Sequence, residues 1–280
     1  MSNEKIIFGD IQECSGFRQR HSLFLAKLPL LQRTTEHVFL RTFVDSELAS
    51  KIVFFLGRLC VDEFNEVLLL CANGRGVAAM KLLRGLYERA VNLAYIAKHP
   101  DKADEFVDYS HIQRAKWLNH LRDLHDVRLL LPEDVINQID TNYREAKRRH
   151  QEPICKTCGT TRVRFSWSPL DIKSMASETG LGDLYFQCYF EPTMQAHSTF
   201  SAITYRIKPS DGRQMIYEPG PQHKEAGFTL FALHDLILRI MKKENEYFRM
   251  GLEDELRQRE DEFEHIWHSG TGKSDCGDMK

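Results

Sequence analysis

The stretch RGLYERAVNLAY, residues 84–95, decides how this chain folds. It lies inside a longer run, residues 75–98. There Val77, Met80, Leu83, Leu86, Ala90, Val91, Leu93, Ala94 and Ile96 wrap most of the way round a helix. A helix of that kind is buried on several sides. A polar line runs through it: Arg84, Glu88 and Asn92 follow one another at steps of four, and Tyr95 returns to within ~20° of Arg84 around the axis. A buried charge costs several kcal/mol unless it is paired, so this line calls for partners elsewhere in the chain.

Working outward, residues 45–71 keep the same helical period through Ile52, Phe55, Leu56, Leu59, Cys60, Phe64, Val67 and Leu68. Asp45 or Ser46 is placed to cap this helix, and Ala72-Asn73-Gly74 supplies its stop. Two long helices with so short a connection pack antiparallel. Before them, residues 1–44 mix basic and apolar positions, divided at Pro29, and read as an arm or a lead-in helix pair. After them, a third helix spans residues 101–126, with Phe106, Tyr109, Ile112, Ala115–Trp117 and Leu121 facing inward. A fourth, highly charged helix follows Pro132. Ser168-Pro169-Leu170-Asp171 reads as a helix start with Ser168 as cap. A further helix over residues 183–207 is interrupted by Pro192. Residues 223–250 and 252–268 close the helical series.

The patterning predicts an all-α protein: a single helical bundle of seven or eight helices with an irregular CxxC-containing insertion. The one short strand it suggests is at RQMIY, residues 213–217. The organisation expected is an N-terminal arm (1–44), a helical core domain (45–250), a charged C-terminal helix (251–268) and a disordered tail (269–280).

A net charge of −2 excludes a global attraction to nucleic acid or acidic membranes. No run of about 18 apolar residues suggests a membrane span, and the first residues lack the pattern of a signal peptide. Seven cysteines, an odd number, are scattered mostly through apolar helical contexts, as suits free thiols in a reducing compartment. The expected location is cytoplasmic.

A second polar line surrounds Pro192, where Tyr185, Tyr189, Thr193 and His197 recur at steps of four and the last three share one face. Packed against the first line, it would assemble donors, acceptors and one group titrating near neutrality. Arg84, Glu88 and His197 are thus the candidate catalytic residues, with Asn92, Tyr95, Tyr189 and Thr193 as binding residues. The competing reading is a satisfied polar network that fixes helix register. Basic clusters at residues 144–150 (REAKRRH, including Arg144 and His150) and 162–164 have the chemistry to contact phosphate. Glu145 and the acidic C-terminal helix balance them, which favours a solvated face. Cys155-x2-Cys158-Gly159 has the spacing of half a zinc knuckle. The remaining ligands would have to come from His150, Cys188, His197 or His223, and the alternative is a loop with two ordinary thiols. No other cofactor is called for. Trp167 reads as a hydrophobic anchor.

Arg84, Glu88, Asn92 and Tyr95, then Trp167-Ser168, then Tyr189, Thr193 and His197 resemble a mostly bacterial helical family known as a domain of unknown function. In that family the first block usually reads RxLxE, and the last reads Tyr, Ser, His at this spacing. This chain differs in having Thr193 for the usual Ser, with Pro192 beside it, and in the CxxC segment before Trp167. The family is distantly similar to HEPN and abortive-infection proteins, several of which are ribonucleases or toxins in phage defence. Their signature is Arg followed by His after four to six residues; the His moves the 2′-hydroxyl proton and the Arg steadies the phosphate. Arg114/His120, Arg144/His150 and Arg259/His265 have such spacing, as many as chance supplies in this composition. The resemblance implies a metal-independent HEPN-like ribonuclease in phage defence or a stress response. The alternative is a non-catalytic helical module that binds a protein partner or small ligand in a polar cleft. The partners implied are RNA or a protein, a second copy included, and no membrane.

Overall fold

The computed structural model describes residues 9–44, 47–154, 157–197, 199–204, 206–209, 215–217 and 220–268. The chain divides into two compact units, one from residues 1–98 and 175–280, the other from residues 99–174. Among the described residues it forms eleven α-helices and two two-stranded antiparallel hairpins. The all-α reading therefore holds. The count of seven or eight helices is too low, because the chain breaks where the apolar period alone gives no sign of it.

The first break is at His21, between α1 (Ile11–Arg20) and α2 (Ser22–Phe39). Pro29, the expected dividing point, sits inside α2. Asp10 caps α1 by accepting from the amides of Gln12 and Glu13. The long pair follows as α3 (Leu48–Ala72) and α4 (Gly76–Lys98), which pack on each other. Gly74 makes the turn between them at φ +66°, a left-handed conformation that glycine adopts without cost. Asp45 and Ser46, the expected caps of α3, lie outside the described residues.

The second unit begins with a 3-10 turn at Pro100–Lys102 and continues through α5 (Ala103–Leu124) and α6 (Glu133–Arg149). These two helices pack around Leu118, Val127 and Ile136, with Leu121, Leu131 and Ile139 against them. Tyr109, Ile112, Ala115 and Leu118 recur every three residues and set the buried face of α5. Trp117 is one residue out of that phase and stands half exposed, not inward. The segment read as an irregular insertion is bracketed by a hairpin, β1 (Gln151–Pro153) with β2 (Thr161–Val163), in which Glu152 faces Arg162. Cys155 lies outside the described residues. Trp167 is buried edge-on against Phe106, as an anchor should be. Asp171, not Ser168, caps α7 (Ile172–Thr179), accepting from the amide of Ser174 at 2.7 Å. The Ser168 hydroxyl instead accepts from the Leu170 amide, in a turn.

The helix expected over residues 183–207 is broken into pieces. A 3-10 turn (Gly182–Leu184) and a π-helical turn (Phe186–Phe190) lead into α8 (Glu191–Ala196) and then α9 (Phe200–Thr204). Pro192 falls in the first turn of α8, where its missing N–H is least costly. A second hairpin, β3 (Ile207–Pro209) with β4 (Met215–Tyr217), includes the expected strand. α10 (His223–Phe248) then packs against α3 and α4, and α11 (Glu253–Trp267) packs against α2 and α10. Salt bridges tie α11 down: Lys27 to Glu262 at 3.2 Å and Lys242 to Glu260 at 2.6 Å. Residues 269–280, expected to be a disordered tail, lie outside the described residues. Among those described, no helix is long and apolar enough to cross a membrane.

Among the ionisable groups sealed from water inside the first unit are His234 and Glu244. The Nε1–H of Trp267 donates to Nδ1 of His234 at 3.1 Å, and burial pushes that imidazole down to about 4. Glu244 is fully buried; its closest cation is Arg41, with Nη2 3.7 Å from Oε2. Burial pushes the Glu244 carboxyl up to about 8, against the opposing pull of Arg41.

A carboxyl whose pKa rises on folding contributes stability fully below about 4.5 and loses it as pH climbs through about 8. Between pH 7 and about 8 the melting temperature should therefore fall, and above that it should level off. In Glu244→Gln this decline should flatten, leaving the variant the more stable of the two at pH 9. Parallel melting curves across that range would refute the assignment.

Candidate functional site

α4 sets Arg84 and Glu88 one turn apart, and their side chains close a salt bridge at 2.8 Å. Both are partly exposed, 29 % and 34 %, so the polar line runs along the rim of the buried face and not through its centre. The Arg84 guanidinium carbon lies 5.1 Å from the centre of the Tyr189 ring, a cation–π contact. Tyr189 comes from the π-helical turn, and its ring also meets Tyr185 (centroids 5.3 Å) and Tyr87 (6.2 Å). Tyr87 is fully buried, and its hydroxyl donates to the Leu181 carbonyl at 2.8 Å. Burial pushes its phenol well above the usual range. The result is a fixed cluster: three tyrosine rings, with one guanidinium on the central one.

The other members of the two polar lines are placed differently. Asn92 is half-buried and Tyr95 buried farther along α4. Thr193 turns back on its own helix, its hydroxyl donating to the Tyr189 carbonyl at 2.6 Å. His197 is exposed at the end of α8, in extended backbone. Among the described residues it makes no hydrogen bond or ion pair with Arg84 or Glu88. The lines thus meet at Arg84 and Tyr189, with His197 outside the junction.

A second polar cluster forms in the unit of residues 99–174. His150 is buried at the end of α6, between Asp108 Oδ2 (3.0 Å from Nε2) and the Arg164 guanidinium (2.8 Å from Nδ1). A guanidinium can only donate, so Nδ1 accepts and the ring proton sits on Nε2, directed at Asp108. The imidazole is therefore neutral; burial, then the charge of Arg164, pushes its pKa down against the pull of Asp108. Arg149 grips Asp108 with two hydrogen bonds, which hold that carboxyl below its ordinary range. The Tyr109 hydroxyl donates to the Arg164 carbonyl at 3.0 Å, and its ring stands edge-on to His150. Arg144, six residues before His150, is exposed.

Sequence reasoning identified His150 but assigned Arg164 to a solvated basic cluster and missed Asp108 altogether. The signal for Asp108 was available only in three dimensions, since 42 residues separate it from His150. As for metal, Cys158 is exposed, with Sγ 3.0 Å from the Thr160 hydroxyl. Among the described residues no group of three or more His, Cys, Asp or Glu side chains is arranged to hold an ion. Burial pushes up the thiols of Cys60, Cys71 and Cys188, which makes them poor nucleophiles.

Residues 51–215, more than half of the chain, match the model of DUF5677, a family of unknown function. The chain belongs to that family. No curated protein and no solved structure matches it.

The two clusters should respond differently to truncation. His150→Ala takes from the buried Arg164 its imidazole acceptor and leaves a cavity, so denaturant unfolding should register a loss of about 2–4 kcal/mol. Glu88→Ala removes one partly exposed i,i+4 pair and should cost only about 0.5 kcal/mol. Equal losses would mean that the burial of one of these clusters has been misread.

Proposed function

We propose that this chain is a non-catalytic helical module that binds a protein partner through the face carrying its π-helical turn. The observation that carries this reading is a pair of phenylalanines. Phe186 and Phe190 stack on one another, centroids 5.8 Å apart, while remaining 58 % and 48 % exposed. They share the turn with Tyr189, which is held against Arg84. α9, which packs on α8, adds exposed Phe200 and Ile203. Grouped exposed aromatics beside a fixed arginine have the composition of an interaction surface, whose anchors are aromatic residues and Arg. A π-helical turn is itself most often retained at functional positions.

The geometry gives less support to a HEPN-like ribonuclease. A general acid–base histidine must reach a substrate proton with a ring nitrogen. Both nitrogens of His150 are engaged by Asp108 and Arg164, and His197 has no link to the Arg84–Glu88 pair.

Affinity purification of the wild type beside Phe186→Glu/Phe190→Glu, from cells that naturally carry the gene, tests the reading. A stoichiometric partner should be retained by the wild type and lost from the variant, with melting temperature unchanged. In parallel, total RNA and tRNA are incubated with wild type, His197→Ala and His150→Ala in the presence of a chelator. Cleavage that survives chelation and disappears in His197→Ala would overturn the proposal in favour of the ribonuclease.

A further inference from the structure

Among the described residues, two of the clefts large enough for a small molecule differ in whether their polar groups are already occupied. The first, about 440 Å³, is lined in part by Arg239, Lys242 and Lys243 of α10. Each of these is engaged: Arg239 by Asp183 and Asp235, Lys242 by Glu260, and Lys243 by Glu246. A ligand there would have to displace existing ion pairs.

The second cleft, about 320 Å³, lies between α5 and α6. His111, Arg114 and Trp117 line it from α5, at steps of three residues along one side of the helix. Gln138 and Asn142 line it from α6, one turn apart. Among the described residues, none of these five side chains makes a hydrogen bond, ion pair or ring contact with the rest of the protein. Leu131, Val135 and Ile139 complete the lining, and Leu131 and Ile139 also pack on the unit's apolar core, which gives the groove a fixed floor. No acidic side chain lines it. The nearest turn of α6 does carry Asp140, but Arg122 holds that carboxylate with two hydrogen bonds.

From this lining we infer that the α5–α6 groove binds a nucleoside phosphate, either as a free nucleotide or as part of an RNA strand. Trp117, half exposed at 50 %, offers an indole face on which a base stacks. Arg114 supplies the planar, multiply donating cation that suits phosphate, and His111 stands one turn away as a further donor. The amides of Gln138 and Asn142 each present a donor and an acceptor, the pairing that reads the edge of a base. The volume fits a single small ligand. An aromatic surface, a cation with no counter-ion and two idle amides occur together, so a ligand that is planar, polar at its edge and anionic satisfies every group at once. This site uses none of the residues of the proposed partner face and does not depend on that reading.

Isothermal calorimetry on the full chain tests it, with the four nucleoside 5′-monophosphates, adenosine, inorganic phosphate and a short single-stranded oligoribonucleotide as probes. At least one monophosphate should bind, and the matching fragments, base with ribose or phosphate alone, should bind at least about tenfold more weakly. Trp117→Ala and Arg114→Ala should each weaken it about tenfold or more. Both residues are exposed, so melting temperatures should not move, and Lys116→Ala on the outer side of α5 should bind as the wild type does. An oligoribonucleotide that binds more tightly than its mononucleotide would identify RNA as the source, and equal affinity would identify the free nucleotide. The inference is overturned if no nucleotide or RNA binds, or if binding survives unchanged in both Trp117→Ala and Arg114→Ala.

Discussion

Much of the first unit depends on how closely α10 can approach α3 and α4, and two glycines permit that approach. A Cβ at Gly57 of α3 would overlap the Phe39 ring and the Glu244 carboxylate, and one at Gly76 of α4 would strike the backbone of α10 near Ala226 and Gln222. Contacts this short exclude even a methyl group, and helices held at such a distance gain dense packing along their whole length. Met80, Leu83, Leu86 and Leu93 of α4, which packs on both α3 and α10, are fully buried. The same closeness removes water from Glu244, which explains how a carboxyl without a close partner comes to lie there. Tight helix packing and a neutral buried acid are one feature seen from two sides.

The long helices were legible because burial writes itself into sequence as apolar period, and that period runs through each of Leu48–Ala72 and Gly76–Lys98. The Asn73-Gly74 stop was equally legible, since few residues other than glycine tolerate that turn. Ser168 was misread as a cap because its sequence context meets the rule as well as Asp171 does, and only backbone geometry separates the two. The break at His21 and the π-helical turn left no trace in the apolar period. Within the site, the contact of Arg84 with the Tyr189 segment followed from the need to partner a polar line on a buried helix. What could not be read was its depth. The line lies at the rim, where Glu88 suffices as partner, so nothing obliges His197 to join it.

The two polar clusters illustrate opposite uses of the same residue types. In the His150 cluster every strong group is pointed at another: Arg149 at Asp108, Asp108 at His150, His150 at Arg164. Such closure fixes the meeting of α6, α5 and the hairpin, and it consumes the donors and acceptors that chemistry would need. In the α5–α6 groove, His111 and Arg114 of α5 and Gln138 and Asn142 of α6 have no such partners among the described residues. A polar side chain kept ordered by its helix yet left without an internal role is the arrangement from which recognition is built, because its hydrogen bonds remain to be made.

The π-helical turn has a consequence for relatives of this protein. Such a turn holds one residue more than an α-helical turn can, so the number of residues between Gly182 and Pro192 is as much a property of the molecule as their identity. A homologue shorter by one residue there would continue as plain α-helix, and everything after the gap would be rotated by about 100°. Pro192 and Gln195, now buried, would swing off the inner face of α8, and aligning the histidines by sequence would superimpose residues that do not share a direction in space. Members of the family with and without that extra residue are therefore to be compared by position on the helix before any role is transferred between them.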